Sequence, residues 1–506
     1  MTISLRAALG VALVWLAALH GPSPVAAQTP TAPTFEHELR VGFNGAYKLG
    51  KWTELEVTLV GGPAVCTGVV RVETPDGTGA AYTTGAPQPL RLLPGQRSQV
   101  VVPICLGGPD APVRVTFDYK TDAGSNGSTA INFGPDDRTK SLPVPLPNPT
   151  PLVLHLGPSI GLKEAVARQK WPTDAEPQVA LVESTQSLPQ RWYGYDGVDL
   201  IVLSSAAPEL YDALSDAQRE ALFDWIRRGG RVLLSGGASA PQLFAAGRPL
   251  ADLAPGRFDR IYSLTSSRAL EDFSESTQRL FPTAETRLDV SVFEGDAGKV
   301  IASEKGAVPL VTRRALNYGE VIFVSADLHN RLFIDWSGLD QFYNRLLGWR
   351  PVAETQTDEP APNAAFMQQH ITDLATDLRI SLEKFDVWPP PFMLVVGMIL
   401  VYILLIGPGD YFFLKRLGRM ELTWVTFPAI VVLVSVAAYW TARTSRGDKL
   451  KVNQVNVVDI DVNSKTARGT TVANIFAPYS STYNLTLEPA LPRDPAAPVA
   501  PPAAST

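Results

Sequence analysis

The sequence predicts a multidomain membrane protein: an N-terminal β-sandwich, an α/β domain, a transmembrane helical hairpin and a short C-terminal β segment. Three observations predict this order. Alternating apolar and polar runs fill the first part of the chain, buried strands alternate with helices in the middle, and two long uncharged runs come late. The predicted segments are a signal peptide (1–27), the β-sandwich (34–147), the α/β domain (150–351), a linker (353–363), an amphipathic helix (364–386), transmembrane helix 1 (389–409), a cytoplasmic loop (410–421), transmembrane helix 2 (422–442), the β segment (450–489) and a disordered tail (490–506).

The two uncharged runs are long enough to cross a bilayer, because about 20 apolar residues span roughly 30 Å of hydrocarbon. The insert between them carries Lys415, Arg416 and Arg419, which the positive-inside rule places in the cytoplasm. Residues 1–27 have a basic start, an apolar stretch and small residues before a predicted cut, as in a secretory signal peptide or an uncleaved anchor. Both alternatives put the large upstream region outside the cytoplasm. Basic residues after the second run argue for the opposite orientation: Arg443, Arg446, Lys449 and Lys451.

Composition limits the classes of partner, metal and cofactor that the chain is expected to bind. The net charge is −6 and no basic stripe is present, which argues against nucleic-acid binding. The two cysteines, Cys66 and Cys105, fall in strand-like stretches of the β-sandwich. An oxidising compartment favours a disulfide between them, and free buried thiols are the alternative. Since no third soft ligand accompanies them, we expect no metal site there, and we expect no cofactor.

The middle of the chain predicts a parallel sheet. Buried strands are expected in "TPLVLHLG", "PQVALVES", "GVDLIVLSS", "RVLLSGG" and "GEVIFVSADL". A helix is expected after Ser215, because Ser215 and Gln218 have the spacing of a capping box, and it should end at Gly229 or Gly230. A strand, a helix and a strand at this spacing indicate right-handed crossovers in a parallel sheet. A closing helix is expected in "LDQFYNRLLGW".

The segments "VDLIVLSS", "LSDAQREALFDWIRRGGRVLLSGG" and "GEVIFVSADL" resemble the class I glutamine amidotransferase-like domain, which has a flavodoxin-like α/β fold. With "IGPGDYFFLKRLGR" in the hairpin, the whole arrangement resembles a group of uncharacterised bacterial membrane-anchored proteins. The resemblance implies a location in the bacterial inner membrane with the bulk of the chain in the periplasm. It also implies other envelope proteins, besides the bilayer, as partners.

The amidotransferases use a nucleophilic cysteine, and the α/β domain has none. The best substitute is Ser235 in "LLSGG", with His329 as its base and Asp327 or Asp199 as the orienting carboxylate. A nucleophile elbow has glycine two residues before the serine, and here that residue is Leu233. We therefore predict a non-catalytic scaffold or accessory protein whose extracytoplasmic domains bind a partner or a ligand. The alternative is a serine-type hydrolase or amidase that uses Ser235 and His329.

The segment before the first transmembrane helix predicts an amphipathic helix, since apolar residues recur there at steps of three and four. It could pack on the domain above, or lie on the membrane or against a partner.

Overall fold

The computed structural model describes residues 32–76, 79, 81–86, 88–134, 142–295, 298–304, 308–352, 378, 380–385, 392–446, 450–462 and 464–477. The chain divides into two compact units, residues 1–356 and 357–506. The predicted signal peptide, linker and disordered tail lie outside the described residues, as does most of the predicted amphipathic helix.

The first part of the larger unit, called the N-terminal region here, consists of two antiparallel sheets. Its strands are β1 (Thr34–Val41), β2 (Trp52–Val60), β3 (Cys66–Pro75), β4 (Ala81–Gly85), β5 (Leu90–Leu92), β6 (Arg97–Cys105), β7 (Val113–Thr121) and β8 (Asn126–Phe133). One sheet has the order β1-β2-β6, and the other has the order β4-β3-β7-β8 with β5 paired to β3. Both sheets contribute to one core, because alternate side chains such as Leu55 and Val57 point inward and meet Val70 and Phe117 from the other sheet.

The second part of this unit, the α/β region, contains β9 (Leu152–Leu156), β10 (Gln178–Val182), β11 (Leu200–Leu203), β12 (Arg231–Ser235), β13 (Arg257–Leu264), β14 (Leu288–Glu294), β15 (Lys299–Glu304), β16 (Val308–Leu316) and β17 (Gly319–Val324). Seven of these strands form a sheet of order β10-β9-β11-β12-β17-β16-β15. The first five are parallel and the last two are antiparallel to their neighbours. Strands β13 and β14 pair separately. The expected parallel sheet is therefore present, and the direction of strand addition reverses beside β9.

Helices cover both faces of this sheet. They are α1 (Leu162–Ala167), α2 (Pro208–Asp212), α3 (Asp216–Arg227), α4 (Ala240–Phe244), α5 (Arg268–Ser274), α6 (Arg331–Ile334) and α7 (Leu339–Leu347). Helices α1, α5, α6 and α7 share a core with Val153 and Val202 on one face of the sheet. Helices α2, α3 and α4 share a core with Leu154 and Leu203 on the other face. Adjacent strand residues point to opposite cores, which is why these strands read as continuous apolar runs.

Helix α3 begins and ends as the sequence predicts. The Ser215 hydroxyl accepts a hydrogen bond from the Gln218 N–H, and the Gln218 side chain accepts one from the Ser215 N–H. After the helix, Gly229 adopts a φ of 126°. Gly230 lies so close to the Trp225 ring that a β-carbon there would come within 2.3 Å of it. Glycine is therefore required by backbone conformation at the first position and by packing at the second.

An ion pair between a buried lysine and a half-exposed aspartate joins the N-terminal region to the α/β region. The Lys48 side chain is 5% exposed, and its Nζ lies 2.6 Å from Asp199 Oδ2. The same oxygen accepts a hydrogen bond of 2.7 Å from the Leu152 N–H at the start of β9. Nearby, Phe43 stacks on Tyr195 with ring centroids 5.9 Å apart and belongs to the core beneath α3. The two regions therefore share packing and charge at the edge of the sheet where its parallel strands begin.

The smaller unit contains a pair of apolar helices. The first comprises α8 (Phe392–Leu404), a π-helical turn (Leu405–Gly409) and α9 (Asp410–Leu417), and the second is α10 (Thr423–Arg446). Pro408 cannot donate to an α-helical ladder, and the wider π turn accommodates it without ending the helix. Within the predicted cytoplasmic loop 410–421, helix continues to Leu417 and the chain turns at Gly418, where φ is 68°.

The C-terminal strands form a hairpin of β18 (Lys451–Asp461) and β19 (Thr466–Phe476). The Asn453 amide donates to the carbonyls of Leu382 and Lys384, at 3.0 and 3.1 Å. Phe385 packs against Phe476 with ring centroids 5.5 Å apart. The hairpin is thus held by the residues that precede the first apolar helix, and residues 478–489 of the predicted β segment lie outside the described part.

Replacing Asp199 should destabilise the larger unit. Asp199→Ala leaves the buried Lys48 ammonium without its counter-charge and the Leu152 N–H without its acceptor. Because Asp199 is half exposed, we expect a loss of about 2 kcal/mol, below that of a fully buried pair, and a Tm lower by about 3 °C. The measurement is thermal unfolding of the full chain in detergent, monitored by tryptophan fluorescence.

Asp196→Ala is the matched control for this substitution. Asp196 lies 3.7 Å from the Lys51 ammonium, whose side chain is 45% exposed. We expect its loss to cost no more than about 1 kcal/mol, because exposed pairs contribute little. Equal effects of the two substitutions would contradict the inference that the Lys48–Asp199 pair stabilises the contact between the two regions.

Candidate functional site

The carboxyl ends of the parallel strands carry a hydrogen-bonded polar cluster. The Ser205 hydroxyl, just after β11, lies 3.0 Å from the Ser235 hydroxyl at the end of β12. Ser235 Oγ also accepts a bond of 3.1 Å from the Ser205 N–H. The Ser205 hydroxyl donates to Asp327 Oδ1 at 3.0 Å. The structure therefore joins two predicted site residues, Ser235 and Asp327, through a serine that the prediction missed.

His329 lies beside this cluster and is exposed to solvent. Its N–H donates to Asp327 Oδ1 at 2.9 Å, while its ring Nδ1 lies 2.7 Å from the Ser159 carbonyl. The contact with a carbonyl requires Nδ1 to carry the proton. The ring is thus bonded to the turn after β9, whereas the Ser235 hydroxyl is 3% exposed and bonded to Ser205.

The serine turn requires its glycines for close packing. A β-carbon on Gly236 would lie 2.2 Å from Ser291 Oγ, and one on Gly237 would lie 2.6 Å from the Asp327 β-carbon. Gly237 also has a φ of 75°. The turn after β12 is therefore pressed against β14 and against the segment after β17, which explains why Ser235 is buried instead of standing exposed at an elbow.

Asp199, predicted as a possible orienting carboxylate, and His155 both lie outside this cluster. Asp199 precedes β11 and so lies at the opposite edge of the sheet, where it pairs with Lys48. His155 is in β9 and is 2% exposed, and its Nε2 has no hydrogen-bond partner within the described residues. Burial lowers the pKa of His155 to about 4. The imidazole is therefore neutral in the folded protein near pH 7.

A cleft, called the Glu54 cleft here, lies between the N-terminal region and the α/β region. Its volume is about 290 Å³. One wall is the outer face of β2 and β6, and the other is the segment that follows β10. Residues that line it include Glu54, Leu90, Val101, Pro103, Leu188 and Arg191. The Glu54 side chain is buried, and burial raises its pKa to about 7. The sequence prediction did not identify this cleft.

The two cysteines are free thiols. Cys66 is buried in β3, and Cys105 ends β6 in the other sheet of the N-terminal region. Burial raises the pKa of both thiols. The predicted disulfide is therefore not formed in this structure, and the alternative of free, largely protonated thiols describes the two cysteines.

The basic residues of the hairpin lie at its turn. Lys415 and Arg416 end α9, and Arg419 follows Gly418. The Lys415 ammonium lies 5.6 Å from the centre of the Tyr411 ring, a cation–π distance. Among the described residues, two helical stretches are long and apolar enough to cross a membrane, Phe392–Leu417 and Met420–Thr441.

Comparison with known proteins gives a family match for part of the chain. Residues 34–131 match a domain of unknown function, DUF8726, and no curated protein matches the chain. The cytoplasmic protein STM3548 from Salmonella typhimurium is 12% identical over 48% of this chain and 97% of its own, with a TM-score of 0.28. The exo-β-1,4-mannosidase Op5Man5 from Opitutaceae bacterium strain TAV5 is 16% identical over 39% of this chain and 34% of its own, with a TM-score of 0.24. The sporulation control protein Spo0M from Bacillus subtilis is 15% identical over 20% of this chain and 49% of its own, with a TM-score of 0.12. Similarities this distant indicate neither an activity nor a ligand for this chain.

His155 should make stability depend on pH. Its pKa falls from 6.5 to about 4 on folding, so the unfolded chain binds more protons between these values. Its contribution to stability is present above pH 6.5 and is lost as the pH falls towards 4, by about 2 kcal/mol between pH 7 and pH 5. Thermal unfolding of wild type and His155→Gln at both pH values measures this, and an unchanged pH slope in the variant would contradict it.

The thiols should be countable without reductant. We expect two free thiols per chain on reaction with Ellman's reagent in denaturant, because both cysteines are free in the structure. Native protein should react more slowly, because burial keeps both thiols protonated. A count of zero under denaturing, non-reducing conditions would restore the disulfide prediction, and Cys66→Ser and Cys105→Ser identify which thiol reacts.

Proposed function

We propose that this protein is a non-catalytic, membrane-anchored envelope protein whose extracytoplasmic regions bind a partner or a ligand. The two apolar helices hold it in the bacterial inner membrane, with the larger unit in the periplasm. We further propose that the N-terminal region is a β-sandwich and that the α/β region is an amidotransferase-like domain. The order of its parallel strands, second, first, third, fourth and fifth along the chain, supports a flavodoxin-like assignment.

The proposal rests mainly on the hydrogen bonding of Ser235. A nucleophilic serine needs an imidazole within about 3.2 Å that can take its proton. The Ser235 hydroxyl is instead buried and bonded to Ser205, and within the described residues no hydrogen bond joins it to an imidazole. The hydroxyls and the Asp327 carboxylate thus satisfy one another. Such a network supports a structural role at the sheet edge better than a catalytic one.

The membrane anchor is supported by composition and exposure. The apolar side chains of both helices are largely exposed within the described part of the chain, as expected for surfaces that lipid would cover. Trp424 and Trp440 lie near the two ends of α10, where indole rings favour the membrane interface. The basic residues Lys415, Arg416 and Arg419 favour a cytoplasmic turn, which puts the larger unit on the outer side.

Labelling with a fluorophosphonate probe distinguishes the proposed role from a serine hydrolase. Full-length protein in native membranes would be treated with the probe, next to the Ser235→Ala variant and a known serine hydrolase. We expect no labelling above that of Ser235→Ala, because the Ser235 hydroxyl is buried and no imidazole hydrogen-bonds it within the described residues. Labelling that disappears in Ser235→Ala and in His329→Gln would overturn the non-catalytic proposal.

A separate experiment tests the orientation. A single cysteine introduced by Ser464→Cys, in a Cys66→Ser and Cys105→Ser background, would be treated with a membrane-impermeant maleimide in intact spheroplasts. We expect labelling, because residues after the second helix should lie outside the cytoplasm. Ser464→Cys protein that is labelled only after lysis would reverse the proposed orientation.

A further inference from the structure

We propose that the Glu54 cleft binds a small organic ligand through a cationic amino group that pairs with the Glu54 carboxylate. The inference deepens the proposed function and rests on it, since it assigns a site and a ligand chemistry to the proposed binding role. The Glu54 cleft has a volume of about 290 Å³, which is at the lower end of the range for small-molecule pockets.

The position of Glu54 follows from the alternation of β2. Leu55 and Val57 point into the core of the N-terminal region, so Glu54 and Glu56 point to the outer face of the sheet. Pro103 of β6 lies directly opposite Glu54 in the strand register. An outer-face glutamate would ordinarily meet water, but here the α/β region covers it and leaves it only 8% exposed.

The covering segment passes directly over the carboxylate. A β-carbon on Gly194 would lie 2.7 Å from Glu54 Oε1, so only glycine allows the chain to pass there. The Glu54 side chain nevertheless lines the cleft. Within the described residues, no hydrogen bond or ion pair engages its carboxylate, and burial alone raises its pKa to about 7. The cleft is therefore lined by a carboxyl group that has no partner within the described residues.

An unpaired buried carboxyl favours a cationic ligand. An ammonium group that enters the cleft would supply the opposite charge and the hydrogen-bond donors that the described residues do not provide, and it would stabilise the ionised form. An anion would be repelled by that form. A divalent metal ion is a poorer match, because no group of three or more His, Cys, Asp or Glu side chains converges anywhere in the described part of the chain.

The rim and walls suit the remainder of such a ligand. Gln99, Gln186 and Gln190 are exposed at the rim, where their amides can donate and accept hydrogen bonds. The Arg191 guanidinium, also exposed, makes no hydrogen bond or ion pair within the described residues and offers a site for a carboxylate or carbonyl. Apolar walls of Leu90, Val101, Pro103 and Leu188 lie between these polar groups. A short alkyl chain with an amino group at one end and an acceptor at the other matches this lining.

The wall formed by the segment after β10 is held in place by helix α3. The Gln218 side-chain amide donates to the carbonyls of Thr185 and Leu188, at 2.6 and 3.1 Å. Ser184 caps the short 3-10 turn at 185–187 by accepting from the Gln186 N–H. Gln218 is thus a positioning residue, because it holds the cleft wall without lining the cleft. The wall is therefore preformed, which reduces the ordering cost of binding.

Ligand-observed NMR tests the proposal with 5-aminopentanoate as the probe. Saturation transfer from the full-length protein in detergent to the probe methylenes would be measured, with empty micelles as background. Pentanoate, which lacks the amino group, is the matched comparison ligand. The variants are Glu54→Gln, which removes the charge and keeps the shape, and Glu56→Gln, which removes a neighbouring outer-face charge that does not line the cleft.

We expect saturation transfer to 5-aminopentanoate with wild type and Glu56→Gln, and a signal at least fivefold weaker with Glu54→Gln. Thermal unfolding confirms that Glu54→Gln is folded. Three results would overturn the assignment: equal saturation transfer to pentanoate, an undiminished signal with Glu54→Gln, or a wild-type signal no greater than that of empty micelles. The NMR experiment is independent of the fluorophosphonate and orientation experiments. The ligand assignment can therefore be refuted without refuting the proposed function, and the reverse is also true.

Discussion

The ion pair between Lys48 and Asp199 sets the relation between the two parts of the larger unit. Lys48 lies beside the segment that leads into β9, since it forms a bridge with Leu146. Asp199 binds the Lys48 ammonium and the N–H of Leu152 with one oxygen. The pair therefore anchors the first strand of the parallel sheet to the N-terminal region. Because the Glu54 cleft has one wall from each region, its width depends on this joint.

Much of the fold could be predicted from local patterns. The capping box of α3, the apolar runs of the parallel strands and the glycines after α3 each act within a few residues of the chain, and each is found where expected. The insert 410–421 was predicted as the cytoplasmic loop of the hairpin from its charges, without a prediction of its secondary structure. Lys415 and Arg416 lie in helix α9, since both are good helix formers and charge alone does not break a helix.

The sites were less predictable because they depend on which strands are neighbours. Ser205 was visible as a polar residue after a buried strand, but its bonds to Ser235 and Asp327 exist only because β11 lies beside β12 and β12 beside β17. Glu54 was harder still. Alternation marks it as an outer-face residue of β2, and the segment that buries it lies more than a hundred residues further along the chain. No local pattern contains that contact.

The two roles of Gln218 link helix initiation to the shape of a distant surface. Its carbonyl oxygen caps the first turn of α3, while its amide holds the carbonyls of Thr185 and Leu188. Fraying of this one helix end would therefore release the wall of the Glu54 cleft, because it would break the hydrogen bond to Leu188, which lines the cleft. A partner that bound near the start of α3 would therefore change the position of the cleft wall. Gln218 therefore couples the local stability of α3 to the geometry of the cleft.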